Sequence, residues 1–220
     1  MVHSQLRGLL VDYGGVLTTS IFASFASFCA QEGLARGRMA ELLRSDPRAR
    51  EAVIGLELGT LAEAEFEARL AATLGVQPER LIARLMAGAT PDLRMRDAVR
   101  AARAQGVRTG LVSNSWGSSR YPRTELGELF CGIVLSGEVG VRKPSRAIYE
   151  LGARAVGLRP EQCVFVDDLA VNLSAAQALG MTPVRHRDTA STIGRLERLL
   201  GISLGHDASG GTSASAHAGG

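Results

Sequence analysis

GLLVDYGGVLTTS, residues 8–20, is the stretch on which the fold turns. Leu9-Leu10-Val11 is a short, unbroken apolar run, the pattern of a strand covered on both faces. It ends on a single carboxylate, Asp12, followed at once by Tyr13, the pair Gly14-Gly15 and the small polar cluster Thr18-Thr19-Ser20. Taken alone, an acid before two glycines is an ordinary turn former. The rest of the chain decides whether Asp12 does more.

Working outward, four further apolar runs bounded by Gly, Pro or Asp predict strands at Arg108–Ser113, Gly132–Leu135, Cys163–Val166 and Thr182–Val184. Helical patterns lie among the later runs at about Arg94–Gln105, Arg146–Val156, Ala170–Leu179 and Thr189–Leu200. Alternation of this kind predicts an α/β fold, a Rossmann-like three-layer core with a parallel sheet between helices. Between Ile21 and Ala89 no strand pattern occurs. Four or five helical patterns take its place, among them TLAEAEFEARLAATLGV, with Gly75 as a helix stop. The expected organisation is therefore a core at 1–19 and 90–202, a small all-helical insertion at 20–89 after the first strand, and a Gly/Ala/Ser-rich disordered tail at 203–220.

Composition narrows the function. Over 220 residues, 45% of them apolar, the chain can bury a sizeable core. Its net charge of +3 is small, and the arginines are scattered through helical patterns, which argues against nucleic acid. There is no basic-then-apolar leader and no run of about 18 apolar residues. The expectation is a soluble, cytoplasmic protein without a membrane partner, a monomer or a homodimer. Cys29, Cys131 and Cys163 have no metal-ligand spacing and read as buried free thiols.

In doubly wound sheets the ligand sits beyond the carboxyl ends of the strands. The first strand delivers Asp12 there, the second Ser113-Asn114, and the fourth Asp167-Asp168. GVRKPSRAIYE, residues 140–150, adds Lys143, with Pro144 expected to open a helix whose first turn holds the lysine. Carboxylates brought that close repel one another unless a cation stands among them. Mg²⁺, a hard ion with oxygen ligands, is the simplest cofactor. Asp167-Asp168 also have the place of a helix N-cap before Ala170.

Four segments in this order and spacing, VDYGGVL, GLVSNS, VRKP with the later IY, and FVDDLAVNLSAAQALGM, resemble the motifs of the haloacid dehalogenase-like hydrolase superfamily. The likeness runs from about Leu9 to Ile202. The helical insertion is similar to the small cap of one subgroup, and the finer motif detail looks most like the N-terminal phosphatase-type domain of soluble epoxide hydrolases. The resemblance implies a phosphatase acting on a small phosphorylated metabolite, a phosphate monoester or acyl phosphate. It makes Asp12 the nucleophile that becomes an aspartyl-phosphate. Ser113 and Asn114 would bind the phosphoryl group, and Lys143 would neutralise charge. Mg²⁺ would be held by Asp12, the Gly14 carbonyl, Asp168, and Asp167 directly or through water. Trp116, just past the second motif, is placed either to line the crevice or to pack in the interior.

Gly14 departs from the pattern, because most phosphatases that the sequence resembles carry a second Asp there as general acid and base. Two readings of the glycine stand side by side: a missing acid, or a backbone that needs positive φ. Two other functions remain open. Dehalogenases of the superfamily also lack that Asp, though they resemble a serine pattern where this chain has Asp167-Asp168. A weakly active or non-enzymatic ligand-binding protein is the other.

Overall fold

The computed structural model describes residues 5–117 and 120–205. Its centre is a five-stranded sheet formed by β1 (Gly8–Val11), β2 (Arg108–Ser113), β3 (Gly132–Leu135), β4 (Cys163–Asp167) and β5 (Thr182–Arg185). All pairings are parallel, in the order β3-β2-β1-β4-β5. The first strand is therefore the central one, with Leu10 opposite Gly110 on one side and Phe165 on the other.

Sheet alternation sends neighbouring β1 residues to opposite faces. Leu9 and Val11 join an apolar cluster with α6 (Leu93–Ala104), α7 (Arg123–Leu129) and α11 (Thr189–Leu200), through Val99, Leu126 and Leu196 among others. Leu10 joins a second cluster with α9 (Arg146–Ala155) and α10 (Ala170–Ala178), through Tyr149 and Ala176. Helices thus cover both faces, the three-layer arrangement expected from the alternation. Gly152 lets α9 lie close to the sheet: a Cβ there would stand 2.5 Å from Val112 Cγ2.

The segment after β1 is helical throughout, with α1 (Ile21–Gln31), α2 (Arg38–Ser45), α3 (Pro47–Leu58), α4 (Glu63–Leu74) and α5 (Leu81–Leu85). These helices share an apolar cluster of their own, from Phe25 to Met86. Local chemistry sets their ends. Asp46 caps α3 by accepting from the Arg48 and Ala49 N–H groups at 2.8 and 3.2 Å, Pro47 opens it, and Gly59 closes it with φ +70°. Gly75 ends α4 in the left-handed region, the stop expected of it. The chain leaves and re-enters the sheet layer through two segments that pair with each other: Thr19 N–H donates to Thr90 O at 2.8 Å and Asp92 N–H to Leu17 O at 2.9 Å.

Several expectations need correction. α9 begins at Arg146 after Ser145, so Pro144 does not open it and Lys143 is held by other means. Asp167 and Asp168 do not cap α10, whose N-cap is Leu169 without a side-chain bond. The chain is packed beyond residue 202: Leu204 is buried, and its N–H donates to Glu197 Oε1 at 2.8 Å. The remainder of the expected tail, 206–220, lies outside the described residues. Cys131 is exposed, whereas Cys29 and Cys163 are buried. α7 and α8 (Ser136–Val139) were not foreseen, being too short for a clear period. No helix among the described residues is long and apolar enough to cross a membrane.

Candidate active site

Asp12 leaves the end of β1 held between the two neighbouring strands, its N–H donating to Val166 O at 2.9 Å. Its Oδ1 accepts from the Tyr13 N–H at 2.7 Å and pairs with Lys143 Nζ at 2.8 Å. Burial pushes the Asp12 carboxyl up to about 7. Lys143 opposes the rise, and the nearby Asp167 and Asp168 carboxylates add to it. Lys143 is almost wholly buried and forms a second ion pair, with Asp167 Oδ2 at 2.8 Å. Burial would lower its ammonium, but the two carboxylates more than offset this and hold it above the usual lysine range.

Asp167 is fully occupied. Besides Lys143 it accepts from Asn172 Nδ2 and, on Oδ1, from the Leu169 N–H at 2.9 Å. Asp168 is less enclosed, and burial, with Asp167 beside it, raises its carboxyl. Asp12, Asp167 and Asp168 each offer an oxygen within 4.8 Å of the others. A set of carboxylate oxygens this close, one of them pushed toward its neutral form, is the donor chemistry of a hard divalent cation.

The phosphate-binding candidate Ser113 ends β2, buried, with its Oγ 3.0 Å from the Tyr121 hydroxyl. Burial raises the Tyr121 phenol above its usual range, so it remains a protonated donor. Asn114, expected to bind substrate, lines the same cavity, with its amide bonded to the Lys143 backbone and Glu57. Its Oδ1 accepts from the Lys143 N–H at 2.8 Å, and its Nδ2 donates to Lys143 O at 3.1 Å and to Glu57 Oε2 at 3.2 Å. This amide, rather than a helical turn, fixes the backbone of the lysine.

Gly14 does not have a positive φ. The left-handed residue is Gly15, at +76°, where a Cβ would also stand 2.6 Å from Asp168 Oδ2. Thr18 Oγ1 accepts from the Gly15 N–H at 3.2 Å and braces the turn. A Cβ on Gly14 would meet Ile21 Cγ1 at 2.8 Å and Cδ1 at 3.2 Å. The space that a side chain at position 14 would need is filled by the first residue of α1.

Asp12, Gly14, Ser113, Asn114, Lys143 and Asp168 form the floor of a cavity of about 270 Å³, with Asp167 buried behind them. Its wall is largely apolar and comes mostly from the helical insertion, with Ile21, Phe25, Val53 and Met86. Trp116 also lines it, with its ring 5.4 Å from that of Phe25. Phe22 and Val171, both more than half exposed, stand at the lining's outer edge.

Sequence reasoning missed Glu57, Tyr121, Arg142 and Asn172. Glu57 carried a signal: it falls four residues after Val53 on the buried stripe of α3, where a carboxylate is out of place. Asn172 lies inside the last quoted motif, five residues past Asp167, and Arg142 directly precedes the lysine. Tyr121 gave no signal.

A family model described as haloacid dehalogenase-like hydrolase matches residues 6–180. The chain is 30% identical over 131 residues to bifunctional epoxide hydrolase 2 of Rattus norvegicus, a match covering 56% of this chain and 24% of that one. It is 32% identical over 114 residues to a sesquiterpene phosphatase of Aspergillus oryzae, covering 50% and 58% respectively. The chain thus spans about a quarter of the epoxide hydrolase and less than two thirds of the fungal phosphatase. Among solved structures, a HAD-like family hydrolase from Porphyromonas gingivalis superposes with a TM-score of 0.69 at 24% identity, over 89% of this chain and 98% of that one. A HAD family enzyme of Bacteroides thetaiotaomicron, in complex with magnesium and inorganic phosphate, gives 0.61 at 21% identity, over 83% and 94%.

Proposed function

This chain belongs to the haloacid dehalogenase-like hydrolases, and from that premise we propose that it is a phosphatase whose residues 20–89 form a cap over the site, and whose Asp12 attacks the phosphorus of a phosphate ester. The observation that carries the reading is the grouping of Asp12, Asp167 and Asp168 around the buried ammonium of Lys143. Displacement of a halide calls for no metal and gives this acidic pair nothing to do. Transfer of a dianionic phosphoryl group needs charge neutralised on all sides.

The cofactor is Mg²⁺, which fits the oxygen donors of Asp12, Asp168 and Asp167, with the Gly14 carbonyl as a further ligand. When bound it neutralises charge on the phosphoryl oxygens. Asp168 is the better placed direct ligand, because both oxygens of Asp167 already serve Lys143, Asn172 and the Leu169 N–H.

The chain's own groups divide the remaining work. Both bonded partners of Asp12 sit on Oδ1, which leaves Oδ2 to form the bond to phosphorus as the ester P–O bond breaks. Lys143 holds negative charge on the nucleophile and the phosphoryl group. When Tyr121 is the donor in its bond with Ser113 Oγ, the serine proton can turn from Asn114 O to a phosphoryl oxygen. Water then attacks the aspartyl-phosphate at phosphorus, releasing phosphate and restoring the Asp12 carboxylate.

Position 14 supplies no proton to the leaving oxygen, so substrates with good leaving groups are favoured, acyl phosphates among them. The apolar wall adds a second selection: the organic half of the small phosphorylated substrate is hydrophobic. The test is a panel of aryl, acyl, prenyl and sugar phosphates with released phosphate measured, with and without Mg²⁺. Mg²⁺-dependent release, strongest for apolar and activated esters, is expected. Activity unaffected by chelation, or release of halide from haloacids instead, would overturn the reading.

A further inference from the structure

One carboxylate outside the acidic cluster is buried and reaches no group that reacts. Glu57 lies near the end of α3, in the insertion, yet among the described residues every donor to its carboxylate comes from the core. Trp116 Nε1 donates to Oε1 at 3.1 Å, and Asn114 Nδ2 and Arg142 Nε donate to Oε2 at 3.2 and 2.5 Å. Around it, α3 is sewn to the core by its backbone. Ser136 Oγ donates to Glu57 O and itself accepts from the Ser115 N–H at 2.9 Å, and a Cβ on Gly59 would stand 2.3 Å from Gly137 O.

Two of the three donors flank Lys143. Arg142 precedes it in the chain, and Asn114 brackets its backbone with one bond to the N–H and one from the side-chain amide to the carbonyl. That bracket works with the amide in one orientation only, its oxygen toward the Lys143 N–H. A carboxylate has no proton to give, so Glu57 accepts from the amide's NH₂ side and disfavours the flipped amide.

We propose that Glu57 is a positioning residue of the insertion that sets Lys143 through Asn114 and Arg142, making alignment of the lysine depend on α3 being seated on the core. The proposal rests on the phosphatase reading only for its kinetic consequence. If α3 lifts, the amide loses its orienting acceptor and the lysine its bracket. The ammonium is then no longer fixed at 2.8 Å from Asp12 and Asp167.

Glu57→Gln is the sharpest test, since it keeps the shape, removes the charge that Arg142 pairs with, and sets an NH₂ against either the single donor on Oε1 or the two on Oε2. Hydrogen exchange at the Lys143 backbone amide, followed by NMR, should speed up by at least about 10-fold. Ser136→Ala, which loosens the same helix end without touching the carboxylate, should lower Tm and speed that exchange clearly less than Glu57→Gln does. With para-nitrophenyl phosphate, Glu57→Gln should lower kcat by about 10- to 100-fold with little change in KM. Combined with Asn114→Ala it should be no worse than the more damaging single change. Unchanged Lys143 exchange in Glu57→Gln, equal acceleration in Ser136→Ala, or additive losses in the double variant would each overturn the proposal. If the wild-type protein released phosphate from no ester, the phosphatase reading would fall while the exchange comparison still judged the bracket.

Discussion

The floor and the wall of the cavity are built by opposite rules. Each floor residue sits at or just past the carboxyl end of a strand, or in a loop tied to one, and adjacent parallel strands bring Asp12, Ser113 and Asp168 together. The wall is assembled from helix faces of residues 20–89, whose side chains meet only because the insertion packs in a particular way on the sheet. Position along a strand fixes the chemistry, while packing between helices fixes what fits. Substitutions in the floor should therefore change whether the protein turns over anything, and substitutions in the apolar wall, Glu57 apart, should change which ester it prefers.

The largest effect is expected at Asp12. Asp12→Asn is nearly isosteric and removes the attacking oxygen's charge, so phosphate release should fall by more than about 10³-fold while circular dichroism stays that of the wild type. Residual turnover of more than a few per cent would remove the covalent step from the floor altogether.

Next in size is the metal. Asp168→Ala should weaken Mg²⁺ dependence more than Asp167→Ala, because Asp168 has fewer competing partners; equal titrations for the two variants would reverse that ranking. The pH dependence follows from Asp12. Burial raises its carboxyl to about 7, so below that pH a proton competes with the cation, and the apparent Mg²⁺ affinity measured by calorimetry should rise between about pH 5.5 and 8.5. Stability of the metal-free protein runs the other way. A folded pKa above the unfolded one gives a contribution present below about pH 4 that is lost as pH rises toward 7. Tm without metal should fall across that window, and saturating Mg²⁺ should restore most of the loss at the alkaline end.

The same contrast explains what could be read in advance. All five strands stand within a residue of where apolar runs and their boundaries put them, since a buried parallel strand writes itself as a short continuous signal. Asp12, Ser113, Asp167 and Asp168 are read from those strand ends, and Lys143 from the loop before α9. Glu57 and Tyr121 are not, because they reach the site across 57 and 8 positions of chain, to Asn114 and Ser113 respectively, and no local pattern encodes that contact. Lys143 was placed correctly for the wrong reason: it is bracketed by the Asn114 amide, not carried in a helical first turn.

A smaller effect is expected at the wall. Phe22 lies at its outer edge, half exposed, so Phe22→Ala should leave Tm within a degree or two while raising KM for prenyl or long alkyl phosphates by about 10-fold. KM for acetyl phosphate, too short to reach that ring, should not change. A uniform change across both esters would mean that wall and floor are not separable in the way described.

The smallest expected change is the most discriminating, because it lies where wall meets floor. At Gly14 the floor lacks an acid, and Ile21, from the first helix of the wall, fills the space that acid would occupy. The wild-type rate should therefore depend steeply on the leaving group, with aryl and acyl phosphates cleaved much faster than alkyl ones. Gly14→Asp requires no unusual backbone, since the left-handed residue is Gly15; what it requires is that Ile21 give way. Alone, Gly14→Asp should lower all rates together, as a displaced Ile21 disturbs the loop. Paired with Ile21→Ala it should raise alkyl phosphate hydrolysis by about 10-fold and leave aryl phosphates nearly unchanged, since only the poorer leaving group needs the proton. Gly15→Ala, by contrast, should be inactive in either background, because its Cβ meets Asp168 and its φ is positive. Equal wild-type rates for aryl and alkyl esters would mean that a proton reaches the leaving oxygen from another group, and Ile21 would then be filling a space that the chemistry does not miss.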